Sequence, residues 1–247
     1  MKLPARRFLA AFSLASLLLV PAVRAQDKAE EKPKDPGQAF MESLTSQAYK
    51  EVRDFSRAKG KKDMTKHPGR KWADMLWQFY LSHPGDKQAS WAASETIYLH
   101  MMADDLDGAY ARVATLSPDD PLWLNVLQPL TFFGSKGRDR FIQVAEKLLS
   151  QTQREKTKAV ALYHLAGAYR RKDPEKAKAY LRSAIEAAKA APSARDWANS
   201  EGLLYEITHL NVGQTFPTFS APTTDNKTFV PEDLRGKIVF LNFWATW

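Results

Sequence analysis

The sequence predicts a mainly α protein. A domain of helical hairpins spans residues 39–210, and an incomplete segment of α/β type spans 211–247. Three observations predict it. From Ala39 to about Leu210 apolar residues recur at helical spacing, with no convincing two-residue alternation. One stretch of this region, residues 161–192, has the pattern of two helices joined by a tight turn. After Leu210 prolines, turn residues and short apolar runs take over, and Ile238–Trp244 is near-continuously apolar, broken only by Asn242. Such a run suits a central strand covered on both faces of a parallel or mixed sheet.

The first elements precede the helices. Lys2, Arg6 and Arg7 form a positive n-region, Phe8–Val20 an uncharged apolar stretch, and Val23-Arg24-Ala25 a small-residue cleavage site. The expectation is a signal peptide over 1–25, cut after Ala25, which sends the protein out of the cytoplasm. The alternative is an uncleaved membrane anchor through residues 8–23, whose apolar run is shorter than the ~20 residues a membrane helix needs. Residues 26–38 are a polar, Pro-containing spacer, predicted to be disordered.

Charge and composition narrow the function classes. Apolar residues make up 44% and charged residues 26%, ordinary for a soluble domain with a real core. Residues 1–25 hold four of the 36 Lys and Arg and no Asp or Glu, so the net charge of +8 becomes +4 for residues 26–247. No aromatic residues run among the basic ones, and a nucleic-acid function is not read from this balance. The chain has no cysteine, which rules out a disulfide framework and thiol catalysis by residues 1–247 themselves.

Within the helical region, Trp72, Met75, Leu76 and Phe79 fall on one helix face, stopped by His83-Pro84-Gly85. Trp91, Glu95, Tyr98 and Met102, with Ile97 and Met101, mark the next helix. Ala109, Val113 and Leu116 carry another as far as Ser117-Pro118. "FFGSKGRD", residues 132–139, is predicted to separate two further helices. Asp173 caps a helix with Pro174 at its first position and Glu175 in its first turn. Ser193 and Asp196 have the spacing of a capping box.

"ALYHLAGAYRRKDPEKAKAYLRSAIEAAKAAP", residues 161–192, resembles a tetratricopeptide unit, with a connecting turn one residue shorter than usual. Leu165, Ala166 and Tyr169 sit on its first helix, Ala177, Leu181 and Ala184 on its second, and Pro192 closes it. Ala109 lies 68 residues before Ala177, twice the 34-residue period of such repeats. The resemblance implies a surface that docks a protein partner.

No residue of the helical region carries a recognisable catalytic or metal motif. His67 and His83 precede Pro-Gly and read as turn residues; His100 and His164 read as packed within helices; His209 has no partner at ligand spacing. Asp104, Asp105, Asp119 and Asp120 read as caps and solvated faces. No metal site, cofactor or phosphate loop is expected.

The tail is more specific. Val212-Gly213, Phe216-Pro217, Phe219, the Asp225-Asn226-Lys227 turn, Leu234, Gly236-Lys237, Val239 and then Leu241-Asn242-Phe243-Trp244-Ala245-Thr246-Trp247 form one ordered set. This set resembles the TlpA/ResA-type exported thiol–disulfide oxidoreductases of the thioredoxin superfamily. In that family the segment opens a thioredoxin-like domain and is followed at once by C-x-x-C. The resemblance implies disulfide reduction or exchange outside the cytoplasm, on a protein disulfide substrate or redox partner. Trp244, Ala245, Thr246 and Trp247 would flank the active site. The nucleophile would lie immediately after Trp247, at a helix N-terminus that lowers its pKa. Three origins of the missing motif are expected: a gene fragment, a natural truncation, or a selenocysteine codon read as a stop. Residues 1–247 alone should be redox-inert. The competing reading is a non-catalytic helical-repeat binding module with a remnant tail.

Overall fold

The structure, a computed structural model, describes residues 36–242. The signal peptide, most of the spacer and Trp244–Trp247 lie outside the described residues. Nine α-helices occur among the described residues: α1 (Pro36–Arg57), α2 (Pro68–Ser82), α3 (Lys87–Met102), α4 (Leu106–Val113), α5 (Trp123–Thr131), α6 (Gly134–Gln151), α7 (Glu155–Tyr169), α8 (Pro174–Ala190) and α9 (Ser200–His209). Two two-residue strands follow, β1 (Ala221–Pro222) and β2 (Thr228–Phe229), and then one 3-10 turn at Pro231–Leu234. The chain is therefore mainly α, as the periodicity predicts. Among the described residues no helix is long and apolar enough to cross a membrane.

Helix starts are set by side chains that satisfy otherwise unpaired backbone N–H groups. Asp86 accepts from the Gln88 N–H at 2.7 Å, Asp173 from the Lys176 N–H at 3.0 Å and Asn199 from the Gly202 N–H at 2.9 Å. His67 caps α2 through Nδ1, which accepts from the Gly69 N–H at 3.0 Å, with Pro68 in the first helical turn. His67 is thus a buried cap rather than a turn residue.

The helices stack in order. α2 packs on α3 and α7 on α8 as tight hairpins, and each odd-numbered helix up to α7 packs on the next: α1 on α3, α3 on α5, α5 on α7. α9 closes the stack against α8. The main core runs through the middle of it, with Trp77, Ile97, Trp123, Leu127, Phe141 and Leu165 drawn from five helices. Met41, Val52, Trp72, Leu76 and Leu99 pack one end, and Ala166, Ala177, Leu181 and Ile207 the other. Burying each large aliphatic side chain contributes about 1.5–3 kcal/mol, so the stack is held by its apolar seams rather than by helix propensity.

Several sequence expectations need correction. α1 begins at Pro36, so the last residues of the predicted spacer are helical. On α2 the inner face is Gly69, Trp72, Ala73, Leu76 and Trp77, and Met75 faces solvent. On α3 the buried face is Ala89, Ala92, Ala93, Thr96, Ile97, Leu99 and His100, whereas Met102 is exposed. Small side chains hide this face from a hydrophobicity pattern, yet they let α2 and α3 approach closely. α4 ends at Val113, before Leu116. Only Phe132 and Phe133 separate α5 from α6, because "GSKGRD" forms the first turns of α6. Gly137 is buried there, and a Cβ on it would lie 2.4 Å from the Phe133 Cβ. Ser193 and Asp196 form no capping box: Pro192–Asp196 is a 3-10 turn without a side-chain cap.

Candidate functional site

Among the described residues two places are candidates for a functional site: the tail that leads toward Trp244–Trp247, and a groove in the helical stack.

In the tail, β1 and β2 pair antiparallel with Ala221 opposite Phe229 and Pro222 opposite Thr228. Thr223 and Lys227 close the turn: the Thr223 N–H donates to the Lys227 carbonyl at 2.8 Å, and the Lys227 N–H to Thr223 Oγ1 at 3.0 Å. Asn226 takes φ = 60°, a left-handed conformation that Asn tolerates better than most residues. The hairpin leads to Pro231–Leu234, and Gly236 at φ = 79° turns the chain into Lys237–Leu241. Phe216, Phe219, Phe229, Leu234, Val239 and Leu241 surround an apolar cavity of about 400 Å³.

The run after Gly236 alternates. Ile238 and Phe240 are 92% and 95% exposed, and Val239 and Leu241 are 46% and 50% exposed and line the cavity. That is the two-residue period of an extended chain with one face packed and the other open. The strand predicted over 238–244, covered on both faces, is not formed over 238–242: no ladder partner lies beside it among the described residues. Trp244, Ala245, Thr246 and Trp247, the predicted flanking residues, lie just past the last described residue.

The groove is built by the end of α5, the first half of α6, the second half of α7, the start of α8 and α9. One end is a mixed cavity of about 470 Å³, where Phe132, Tyr163 and Leu203 stand beside Gln128, Arg138, Arg170 and Glu206. A second cavity of about 680 Å³ continues from it and shares Arg138, Gly167, Ala168 and Arg170, adding Arg171, Lys178 and Asn211. Gly167 and Ala168 make a low floor; a Cβ on Gly167 would meet open space. Four cations therefore line the groove. Arg170 pairs with Glu206, and Lys178 with Glu175 at 2.9 Å. Arg138 and Arg171 have no ion pair among the described residues. His164 lies in the wall, and burial holds its imidazole down to about 4, so it is neutral near pH 7.

Two other polar clusters are structural. Asp105 caps α4 through the Gly108 N–H at 3.2 Å, and its Oδ2 also meets Arg70 Nη1 at 2.7 Å and His100 Nδ1 at 3.0 Å. Burial opposes ionisation of Asp105, but the Gly108 N–H, His100 and Arg70 outweigh it and hold its carboxyl below the usual range. Burial lowers the His100 pKa, partly offset by Asp105. A proton on His100 Nε2 would be a buried donor with no acceptor, so the neutral ring with Nδ1–H donating to Asp105 fits the site. The second cluster gathers Tyr169, Lys176 and Tyr180 around Glu146, with Tyr180 donating to the carboxylate at 2.8 Å and the Lys176 ammonium 4.0 Å from the Tyr169 ring centroid. Neither cluster joins a nucleophile to a base, and neither opens on a cavity described above.

The chain matches no known protein-family model, no curated protein and no solved structure.

The sequence reading missed the groove. Arg170-Arg171 is visible as a basic pair, but Arg138 comes from a segment taken for a turn, and only the stacking of α6 on α7 brings them together. It also missed the His100–Asp105–Arg70 cluster. The one available signal was spacing: Asp105 and Asp173, both helix caps, lie 68 residues apart, as do Ala109 and Ala177.

Proposed function

We propose that residues 211–247 open a thioredoxin-like domain of TlpA/ResA type, and that the complete protein is an exported thiol–disulfide oxidoreductase whose nucleophile directly follows Trp247. The observation that carries this reading is the alternating exposure of Ile238–Leu241. A hairpin, a single 3-10 turn and then an apolar extended run, packed on one face and open on the other, is the arrangement of a strand awaiting further sheet and helix. It delivers the chain to Trp244–Trp247 and to the position where the resemblance puts the first cysteine or selenocysteine. There a thiolate or selenolate attacks one sulfur of a substrate disulfide. The S–S bond breaks, a mixed disulfide forms, and the substrate's other sulfur leaves as thiolate. A second cysteine three residues on then attacks the mixed disulfide, releases the reduced substrate and leaves the enzyme oxidised. Residues 1–247 hold neither group and perform no exchange alone.

The test reads the codons after Trp247 and assays a chain carrying their product for reduction of insulin by dithiothreitol. We expect a C-x-x-C or its seleno-equivalent, catalysis by the extended chain, and background rates from residues 1–247. A coding sequence with neither motif overturns the proposal.

A second reading, a non-catalytic binding module of tetratricopeptide type, is favoured by the stack itself. The cap and the small residue recur together at Asp105/Ala109 and Asp173/Ala177, and each odd helix from α1 to α7 rests on the next. The two readings share a docking role for the helical region.

A further inference from the structure

We infer that the groove between α6, α7, α8 and α9 docks an acidic polypeptide segment carrying a large apolar side chain. The inference rests on the docking role of the helical region and not on the thiol chemistry. Its first support is charge. Arg138, Arg170, Arg171 and Lys178 line one continuous groove against a single lining carboxylate, Glu206, which pairs with Arg170. Arg138 and Arg171 lack ion pairs among the described residues, as do Arg53, Arg57 and Arg182, but Arg138 and Arg171 share one groove. Unpaired guanidiniums on a shared groove match carboxylates, which they hold through two parallel N–H bonds.

The second support is the groove's other end. Phe132, Tyr163 and Leu203 supply an apolar wall to a mixed cavity of about 470 Å³ that Gln128, Arg138 and Glu206 also line, a size that takes one aromatic or aliphatic side chain with its backbone. Gly167 and Ala168 keep the floor between the two ends low, so an extended backbone can cross from one to the other. Gln128 stands at one end with a side-chain amide that suits peptide groups. A nucleic acid fits less well. Glu206 lines the groove and would face a phosphate chain.

The test measures fluorescence anisotropy of a labelled peptide of about ten Asp and Glu residues with one central Phe, titrated with the 247-residue chain. We expect saturable binding that weakens as salt rises from about 50 to about 300 mM. The pair Arg138→Glu/Arg171→Glu should raise Kd about tenfold or more, while Lys66→Glu, outside the groove, leaves it unchanged. Phe in the peptide replaced by Ser should also weaken binding. If the double reversal lowers the melting temperature, Arg138→Gln/Arg171→Gln reads the same loss at a smaller size. Undiminished binding by both arginine pairs, equal binding of a Lys-for-Glu peptide, or tighter binding of a single-stranded oligonucleotide overturns the inference. Insulin reduction by the extended chain reports the redox proposal independently, so the two can fail separately.

Discussion

The helical stack and the tail bury their apolar residues very differently. Every buried hydrophobic side chain among the described residues falls between Met41 and Ile207. From Asn211 to Asn242 no residue is buried, although this segment holds Phe216, Phe219, Phe229, Ile238, Val239, Phe240 and Leu241. The tail does not lack hydrophobic residues; it lacks opposing layers. A helix pair can bury its stripe against the next pair, so a stack closes its core with local contacts. A two-stranded hairpin cannot do this, and needs further strands or a helix for independent stability.

The largest effect to look for follows directly. Hydrogen exchange should show amides of 215–242 exchanging at nearly unprotected rates, while central amides of α3, α5 and α7 exchange only through global unfolding. Limited proteolysis should cut between Leu210 and Leu241 before any site in α2–α8. Equal protection in the two regions would break the comparison and give the tail a core of its own.

Core deletions sharpen it. Leu165 is fully buried at the junction of α5, α6 and α7, and Leu165→Ala should cost about 2–5 kcal/mol, read from urea denaturation. Leu241→Ala removes a half-exposed side chain and should leave the midpoint of the helical transition within about 0.5 kcal/mol. A comparable loss in both variants would mean that the tail folds as part of the stack.

How much of this was readable from the sequence depends on what carries each element. The α7–α8 hairpin was legible because local chemistry states it: Leu165, Ala166, Ala177, Leu181 and Ala184 at helical spacing, and Asp173-Pro174 at the break. The inner face of α3 was not, because Ala and Thr fill it and the larger Trp91, Tyr98 and Met102 sit off its centre. The start of α6 was hidden for a related reason. Glycines normally read as breakers, but Gly137 lies inside α6, and its lack of a side chain is what lets Phe133 pack against it. In the tail the Asp225-Asn226-Lys227 turn was legible, but the alternating exposure of Ile238–Leu241 was not, because every residue of that run is apolar; the groove was not legible either, since its cations lie on separate helices.

The smallest effect compares two caps that occupy equivalent positions 68 residues apart. Asp173 accepts one backbone N–H in an exposed setting, and Asp173→Ala should cost about 1 kcal/mol. Asp105 caps α4 and also holds Arg70 and the buried His100, so Asp105→Ala should cost more, about 2–3 kcal/mol. Asp105 also makes stability depend on pH. The Asp105 pKa is depressed in the folded state, so its stabilisation is present above the ordinary carboxylate pKa of about 4 and is lost as pH falls through the folded value. His100 acts in the same direction: the unfolded chain protonates near pH 6.5 while the folded ring stays neutral, so acidification below that point favours unfolding. Urea midpoints measured from pH 7 to pH 4 should therefore fall for the parent chain and for Asp173→Ala alike. In Asp105→Ala the carboxylate share of that fall disappears, but burial without its counter-charge depresses His100 further. Its midpoint should then start lower and still drop between pH 6.5 and 5. His164, held neutral by burial, adds to the same fall, so a flat profile there would mean that neither histidine is held neutral by its surroundings.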